Sequence, residues 1–191
     1  MYKKLSKLHP LIMASFAFVF FIISLFSWHV DFLEVSSPKS GLIFSSPCSN
    51  GYRFSTRYIH SVELTPVEDY YIITGGKIWL WEERVRSSKA GMPSMIPMHG
   101  RYIEAKDWLI YQGGQISFDT YFYRIGDKQF GCNQAKFSPF GLCNFYEIFS
   151  RELLSVKVTK MPFYYKKPFF SKKLYEAEKN VEPINKPLQK F

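Results

Sequence analysis

Two strand-like runs meet at a proline bend, and this arrangement limits what the centre of the chain can fold into. From Tyr52 to Ser61, apolar and aromatic residues alternate with polar ones, the period of a strand with one buried face. Thr65-Pro66 then bends the chain, because proline fixes φ and pushes the preceding residue into extended geometry. A second run, Val67 to Thr74, ends at Gly75-Gly76, a two-residue hairpin signal. The sequence therefore predicts paired strands around a bend.

Runs of the same kind continue to the end of the body. In chain order they are 42–44, 77–85, 101–111, 115–125, one near Phe130, 146–149 and 152–158, with a second glycine hairpin expected at Gly113-Gly114. No segment of the body shows a helical period over two turns. We therefore predict an all-β fold, a compact sandwich or barrel of about eight short antiparallel strands preceded by one N-terminal transmembrane helix.

The N-terminal run 11–28, LIMASFAFVFFIISLFSW, contains no charged residue and follows Lys3, Lys4 and Lys7. Its length approaches the roughly 20 residues that cross a hydrocarbon core. Lysines before the run and Asp31 after it orient the N-terminus toward the cytoplasm and the body outside. We expect a single-pass cell-membrane anchor rather than a cleaved signal peptide, because the end of the run lacks the small residues that signal peptidase prefers.

The chain divides into five expected parts. They are a basic cytoplasmic segment at 1–10, the anchor or signal peptide at 11–30, a spacer at 31–41, an extracytoplasmic β domain at 42–159, and a basic, aromatic, flexible tail at 160–191. The net charge of +9 lies mostly at the two ends, and the body is nearly neutral. Because a domain that tracks phosphates needs cations on its folded surface, we expect no nucleic-acid partner. The tail either lies on an anionic membrane surface or is simply solvated.

Three cysteines suit an extracytoplasmic domain with one disulfide. Cys132 and Cys143 flank a loop of about ten residues, and closing such a loop would contribute about 2–3 kcal/mol. Cys48 is left over. The alternative is three unpaired cysteines.

His60 and Ser61 do not have the geometry of a base and nucleophile. Neighbouring side chains on a strand point to opposite faces, so the two cannot share the hydrogen bond that a serine hydrolase needs. His60 would instead share a face with Val62 and Leu64, where a histidine is usually a hydrogen-bonded core residue.

A hydrolase remains one alternative. Glu63 and Glu68 would approach across the bend as a carboxylate pair, and His60 would assist from the neighbouring strand. Nothing in the sequence specifies a nucleophile, a cofactor or a phosphate loop. We therefore expect a non-enzymatic protein without a cofactor, and assign no catalytic residue.

Two binding sites are further alternatives. Arg53 and Arg57 share a strand face, and a pair of guanidinium groups suits a small carboxylate, unless these groups are merely solvated or paired with Glu63. Separately, thioether and imidazole groups recur at Met92, Met95, Met98 and His99, a ligand set that selects Cu(I). Methionine is also a flexible filler of apolar loops, so this loop is equally suited to packing or to a partner contact.

The two blocks YIHSVELTPVEDYY and SSKAGMPS resemble the domain of unknown function 1850 family, over about 42–159. The first block is similar to the family pattern HSVE-x-TPV-x-E at His60, Ser61, Val62, Glu63, Thr65, Pro66, Val67 and Glu68. The second is similar to S-x-GAG-x-P at Ser88, Ala90, Gly91 and Pro93, but Lys89 stands where the family has glycine. The resemblance implies no reaction.

Members of this family resemble small exported or membrane-tethered proteins found beside tripartite ATP-independent periplasmic (TRAP) transporters of the TAXI type, which take up small carboxylates. The resemblance therefore implies a membrane-anchored accessory or assembly protein of a TRAP/TAXI transporter. For the motif we expect a structural role at the bend. Ser61 and Thr65 would satisfy backbone groups, and Glu68 would receive donors from His60 or from the loop around Gly91 and Pro93.

Overall fold

Antiparallel strands make up most of the described part of the chain after its N-terminal helix. The computed structural model describes residues 2–27, 29–87, 95–114, 116–162 and 168–179. Its helices are α1 (Tyr2–Ser27), α2 (Phe145–Ile148) and α3 (Lys172–Lys179). Its strands are β1 (His29–Ser37), β2 (Gly41–Cys48), β3 (Arg53–Ile59), β4 (Pro66–Thr74), β5 (Lys77–Val85), β6 (Gly100–Ala105), β7 (Trp108–Gly113), β8 (Ser117–Phe118), β9 (Thr120–Arg124), β10 (Gln134–Phe137), β11 (Leu142–Asn144), β12 (Leu153–Pro162) and β13 (Phe169–Phe170).

The strands form two sheets that share one core. The first sheet has the order β13-β2-β1-β12-β9, and the second has the order β11-β10-β3-β4-β5-β7-β6, with β8 also paired to β5. Rings from both sheets meet between them: Phe44 and Phe137 are 5.4 Å apart at their centroids, and Tyr71 and Tyr121 are 4.7 Å apart. The predicted all-β fold is confirmed as a sandwich of mostly antiparallel sheets, with more strands than expected.

The strands around the motif follow the sequence pattern. β3 and β4 pair antiparallel, and Phe54 and Thr56 are buried on the inner face of β3. Gly75 and Gly76 have φ of 61° and 73°, the left-handed values that a two-residue hairpin turn requires, so the predicted hairpin is confirmed.

The second glycine pair does not form a hairpin, contrary to prediction. The local hairpin instead joins β6 to β7 at 106–107. After Gly113-Gly114 the chain pairs β8 with β5 and then crosses to the first sheet, where β9 pairs with β12. These glycines allow close packing, since a Cβ on Gly114 would lie 2.9 Å from the Pro97 side chain. The predicted strands near Phe130 and at 146–149 are also wrong: Phe130 lies in a turn, and α2 occupies most of the other run.

The predicted spacer 31–41 is wrong, because most of it is a central strand. β1 pairs with β2 on one side and with β12 on the other. Phe32, Leu33, Glu34 and Val35 are all buried. Both faces of this strand are covered, so its sequence does not show the alternation on which the prediction relied.

The predicted boundary at 159 is also wrong, because the fold continues beyond it. β12 runs to Pro162, and β13 pairs with β2. The Phe170 ring lies 5.4 Å from Phe44, and Leu174 of α3 is only 1% exposed. Residues 168–179 therefore pack on the core and are not a solvated tail. The rest of the predicted tail, 163–167 and 180–191, lies outside the described residues.

Helix α1 covers most of the N-terminal apolar run. Within the part of the chain that the structure describes, no helix combines the length and apolarity needed to cross a membrane. The membrane anchor stays a prediction.

The predicted disulfide is wrong, because Cys48, Cys132 and Cys143 are all free. Cys143 lies on β11 with its side chain in the core. The Cys132 thiol turns instead toward its own loop, where it donates to the Lys128 carbonyl at 3.1 Å. The short sequence separation does not bring the two thiols together, because one belongs to the core and the other to a turn.

We expect thiol-alkylating reagents to label Cys132 first in the native protein at pH 8. Burial raises the pKa of Cys48 to about 12 and that of Cys143 to about 11, and both side chains are buried. Only thiolates react, so these two should resist labelling until the protein unfolds. Mass spectrometry of timed samples measures the order. Equal labelling of all three in the native state would contradict this assignment.

Candidate functional site

The motif turn 60–65 is closed by its backbone and by one side chain. The His60 N–H donates to the Thr65 carbonyl, and the Leu64 N–H donates to the His60 carbonyl, both at 2.9 Å. His60 Nδ1 accepts from the Glu63 N–H at 3.2 Å and from the Val62 N–H at 3.4 Å. The imidazole therefore accepts hydrogen bonds from backbone amides of the turn and stabilises the shape of the turn.

His60 does not join an apolar core face, contrary to prediction. β3 ends at Ile59, and strand alternation applies only while the backbone stays extended. Val62 and Leu64 are 69% and 72% exposed, and His60 is half-buried. The expectation that His60 is hydrogen-bonded is confirmed. Because Nδ1 accepts, the ring carries its proton on Nε2.

Leu64 sits in the left-handed region, with φ of 51°. A residue with a large side chain pays about 1–2 kcal/mol in this conformation. The hydrogen bonds across the turn hold it there. Glycine or asparagine would be unstrained at this position. The residue present is instead a leucine whose side chain faces solvent.

Glu68 has partners that the sequence did not indicate. Its Oε2 accepts from the Tyr70 hydroxyl at 2.9 Å, and its Oε1 lies 3.6 Å from Arg57 Nε. The described donors to Glu68 do not include His60, so the first alternative of that expectation is wrong, and the second, the loop around Gly91 and Pro93, lies outside the described residues. The described hydrogen bonds also do not join Glu68 to Glu63. The second motif block, with Ser88, Gly91 and Pro93, lies outside the described residues.

The other first-block residues occupy three different environments. Ser61 is exposed in the turn. The Thr65 hydroxyl is buried, and the described residues offer it no hydrogen-bond partner. Pro66 is buried and opens β4. The block therefore brings no group of polar side chains together around a common cavity within the described part of the chain.

Arg53 and Arg57 share the outer face of β3, as predicted. Arg57 pairs with Glu68 on the neighbouring strand, while Arg53 is exposed at the start of β3. The expected pairing of Arg57 with Glu63 is replaced by pairing with Glu68. Carboxylate binding by this pair stays a prediction, and one of its two guanidinium groups already has an acidic partner.

The methionine loop is exposed where the structure describes it. Met95 and Met98 are 82% and 74% exposed, and His99 has a left-handed φ of 59°. Met92 lies outside the described residues. Among the described residues, no group of three or more His, Cys, Asp or Glu side chains is placed to hold a metal ion. Cu(I) binding by the loop stays a prediction.

A pair of facing acids, a buried Asp69 and a half-buried Glu83, was not singled out from the sequence. Asp69 on β4 lies directly opposite Glu83 on β5, on the inner face of the second sheet. Asp69 is 8% exposed, and its Oδ2 accepts from the Tyr71 hydroxyl at 3.3 Å. Its Oδ1 is buried without a partner among the described residues. The alternation along β4 could have identified Asp69. It shares the inner face of the strand with the buried Val67.

Burial controls the protonation of this pair. Burial, and then the charge of Glu83, raises the pKa of Asp69 to about 7. Burial also raises the pKa of Glu83. Tyrosines surround the pair, and burial raises the pKa of Tyr121 to about 12, so these phenols stay neutral. The pair resembles the perturbed groups of active sites, but Asp69 and Glu83 do not line the cleft described next.

An open cleft lies at the outer edge of the second sheet. It has a volume of about 240 Å³ and is lined by Trp81, His99, Gly100, Arg101, Gln112 and Gly113. These residues come from three separated segments, so no local sequence pattern marked the cleft. The arrangement supplies one guanidinium, one imidazole, one amide and one indole, a set able to hold a small anionic group.

The comparisons with known proteins concern the centre of the chain. The family model described as Domain of unknown function (DUF1850) matches residues 54–141. No curated protein matches the chain, and no solved structure matches it. The matched segment includes the motif turn and the cleft, and it is narrower than the 42–159 suggested by the resemblance. The resemblance is nevertheless confirmed: residues 54–141 of the chain are similar to DUF1850, a domain of unknown function.

Proposed function

We propose that this protein is a non-enzymatic, membrane-anchored extracytoplasmic accessory protein of a small-carboxylate transporter of the TRAP/TAXI type. The observation that carries the proposal is an apolar tip, which we define as Val62, Leu64 and Phe130. Their side chains are 69%, 72% and 60% exposed. A hydrogen bond of 2.6 Å from the Ile59 N–H to the Gly131 carbonyl joins the two loops that carry them.

The motif holds the tip in place. The His60 ring and the backbone bonds of the turn fix Leu64 in a strained conformation that directs an aliphatic side chain outward. Strained residues are retained where a particular shape is needed. Large exposed apolar side chains on a fixed turn suit insertion into a pocket of another protein.

The position of the tip favours a protein partner over the membrane. β1 starts at His29, directly after α1, and pairs there with the end of β12. The tip lies at the opposite end of the sandwich, beyond the end of β3, where Tyr123 of β9 donates to the Arg57 carbonyl at 3.0 Å. A domain tethered through α1 would therefore present its tip away from the tether.

The motif contacts support a non-enzymatic role. His60 is engaged by turn amides, and Glu68 is engaged by Tyr70 and Arg57. A general base needs a free lone pair within reach of a substrate proton. Two of the three side chains proposed for a hydrolase, His60 and Glu68, are thus already bonded to the fold.

The test uses the tagged full-length chain in its native membranes. A photo-crosslinking residue placed at Val62 is expected to attach to the binding protein of the transporter. The same residue at Phe122, which is 62% exposed on β9, is the matched control and should give no such product. Equal attachment from both positions, or none from Val62, would overturn the proposal.

Leu64→Asn is expected to weaken partner binding without lowering the stability of the fold. Asparagine tolerates the left-handed region, so the free energy of unfolding should stay unchanged or rise by up to about 1 kcal/mol. Recovery of the binding protein should fall by about tenfold, because the inserted aliphatic group is lost. Denaturant unfolding and quantitative capture measure the two effects. Full recovery with this variant would remove the apolar tip from the interface.

A further inference from the structure

We propose that the cleft formed by Trp81, His99 and Arg101 binds a small organic carboxylate with a short apolar or aromatic body. This site is separate from the apolar tip and does not depend on the accessory role. It also differs from the Arg53 and Arg57 pair, which lies on β3. Three features of the cleft favour such a ligand: the way the sheet holds Arg101, the charge around Arg101, and the shape of the cleft.

A chain of hydrogen bonds holds Arg101. Its Nε donates to Gln112 Oε1 at 2.5 Å, and Gln112 Nε2 donates in turn to Glu82 Oε2 at 2.6 Å. Glu82 is only 8% exposed, so the chain ends on a buried group. The described hydrogen bonds use only Nε of Arg101. Its terminal nitrogens are the pair that holds a carboxylate in a two-pronged contact.

The charge near the cleft favours an anion. The buried carboxylate of Glu82 pairs with Arg84 on the same strand. No carboxylate pairs with Arg101 among the described residues. The imidazole of His99 lines the same cleft. A ligand carboxylate would therefore meet an uncompensated guanidinium with a second polar group beside it.

The shape of the cleft limits the size of the ligand. Gly100 and Gly113 are directly opposite each other on β6 and β7, and they leave backbone exposed in the lining. A Cβ on Gly100 would lie 2.6 Å from the Gln112 carbonyl oxygen, so a larger residue does not fit there. The volume of about 240 Å³ is below that of pockets for drug-sized molecules, roughly 300–1,000 Å³.

Trp81 provides the apolar wall. It occupies a bulge in β5, where the pairing with β4 shifts register, and its side chain is 44% exposed. An indole ring offers a flat surface to an aromatic or short aliphatic body. The cleft therefore fits one carboxylate joined to a small apolar group better than it fits an inorganic anion.

The test is calorimetric titration of the full-length chain in detergent with acetate, butyrate, benzoate, benzamide and inorganic phosphate. Benzoate is expected to bind most tightly, with a dissociation constant below about 10 mM. Benzamide has the same shape without the charge and should bind at least about tenfold more weakly. Equal binding of benzamide, tighter binding of phosphate, or no binding of any carboxylate would overturn the proposal.

Three variants locate the site. Arg101→Gln is expected to weaken benzoate binding by at least about tenfold, while the control Arg53→Gln leaves it unchanged. Trp81→Ala should weaken benzoate binding more than acetate binding, because only benzoate covers the indole. Circular dichroism checks the fold, which should persist because Arg101 and Trp81 are exposed. Unchanged affinity in Arg101→Gln, or equal loss in Arg53→Gln, would place the ligand elsewhere.

The variants Arg101→Gln and Leu64→Asn distinguish the carboxylate site from the proposed accessory function. Loss of carboxylate binding in Arg101→Gln should leave crosslinking from Val62 intact, because the tip and the cleft share no residue. Conversely, Leu64→Asn should bind benzoate as the native chain does. If Leu64→Asn abolished benzoate binding, the cleft would not be the independent site proposed here.

Discussion

Replacing Asp69 with asparagine is expected to make the domain more stable at pH 8, by up to about 4 kcal/mol. The native pKa of Asp69 is about 7, against about 3.9 for an unfolded chain. Between these values the unfolded state loses its proton while the native state keeps it. Native stability therefore falls as pH rises from about 4 to about 7, and the asparagine variant lacks this loss.

The measurement is the free energy of unfolding in denaturant at several pH values. The native chain should lose stability across that window, and Asp69→Asn should show a flatter profile. Asp119→Asn is the matched control, since this side chain is 86% exposed and pairs only with Lys77 among the described residues. Its profile should follow the native one. Parallel profiles for Asp69→Asn and the native chain would show that the pair does not titrate as the structure implies.

Leu174→Ala is expected to destabilise the sandwich by about 2–5 kcal/mol. Leu174 lies in a part of the chain whose composition suggested a solvated tail, yet only 1% of its surface is exposed. Removing the side chain leaves a cavity beneath α3, beside rings that include Phe140 and Phe170. Thermal and denaturant unfolding of the full-length chain measure the loss.

Lys173→Ala on the same helix is the control, because Lys173 is exposed and its replacement should change stability by less than about 0.5 kcal/mol. Comparable, small effects of the two substitutions would mean that α3 contributes little to the core. A large effect confined to Leu174 would establish that the fold extends at least to this helix.

Sequence patterns predicted the second sheet well where one face of a strand meets solvent. β3 and β4 alternate, and their turn and hairpin residues are explicit, so the motif region was placed correctly. The same reasoning failed for β1, whose two faces are both covered and whose sequence carries no alternation. It also failed to show that α3 packs on the core, because one buried leucine among lysines and glutamates is a weak sign of burial.

The candidate sites show the same limit. The motif turn was found because its residues are contiguous. The role of His60 was misplaced because β3 ends at Ile59, two residues earlier than the alternation to Ser61 suggested. Asp69 and Glu83 become neighbours only through strand pairing, and the cleft around Arg101 joins three segments. Contacts that depend on register are not encoded in local spacing.

The central position of β1 also sets the order in which this chain is able to fold. β1 leaves the ribosome early, but one of its two neighbours is β12. The Thr159 hydroxyl donates to the Glu34 carboxylate at 2.9 Å across 125 residues of sequence. Until β12 has been made, the strand that occupies the middle of the first sheet has one edge open to pairing with other chains. Closing such a distant pair is slow, so this nascent edge is the point at which a chaperone or a misfolding partner would act first.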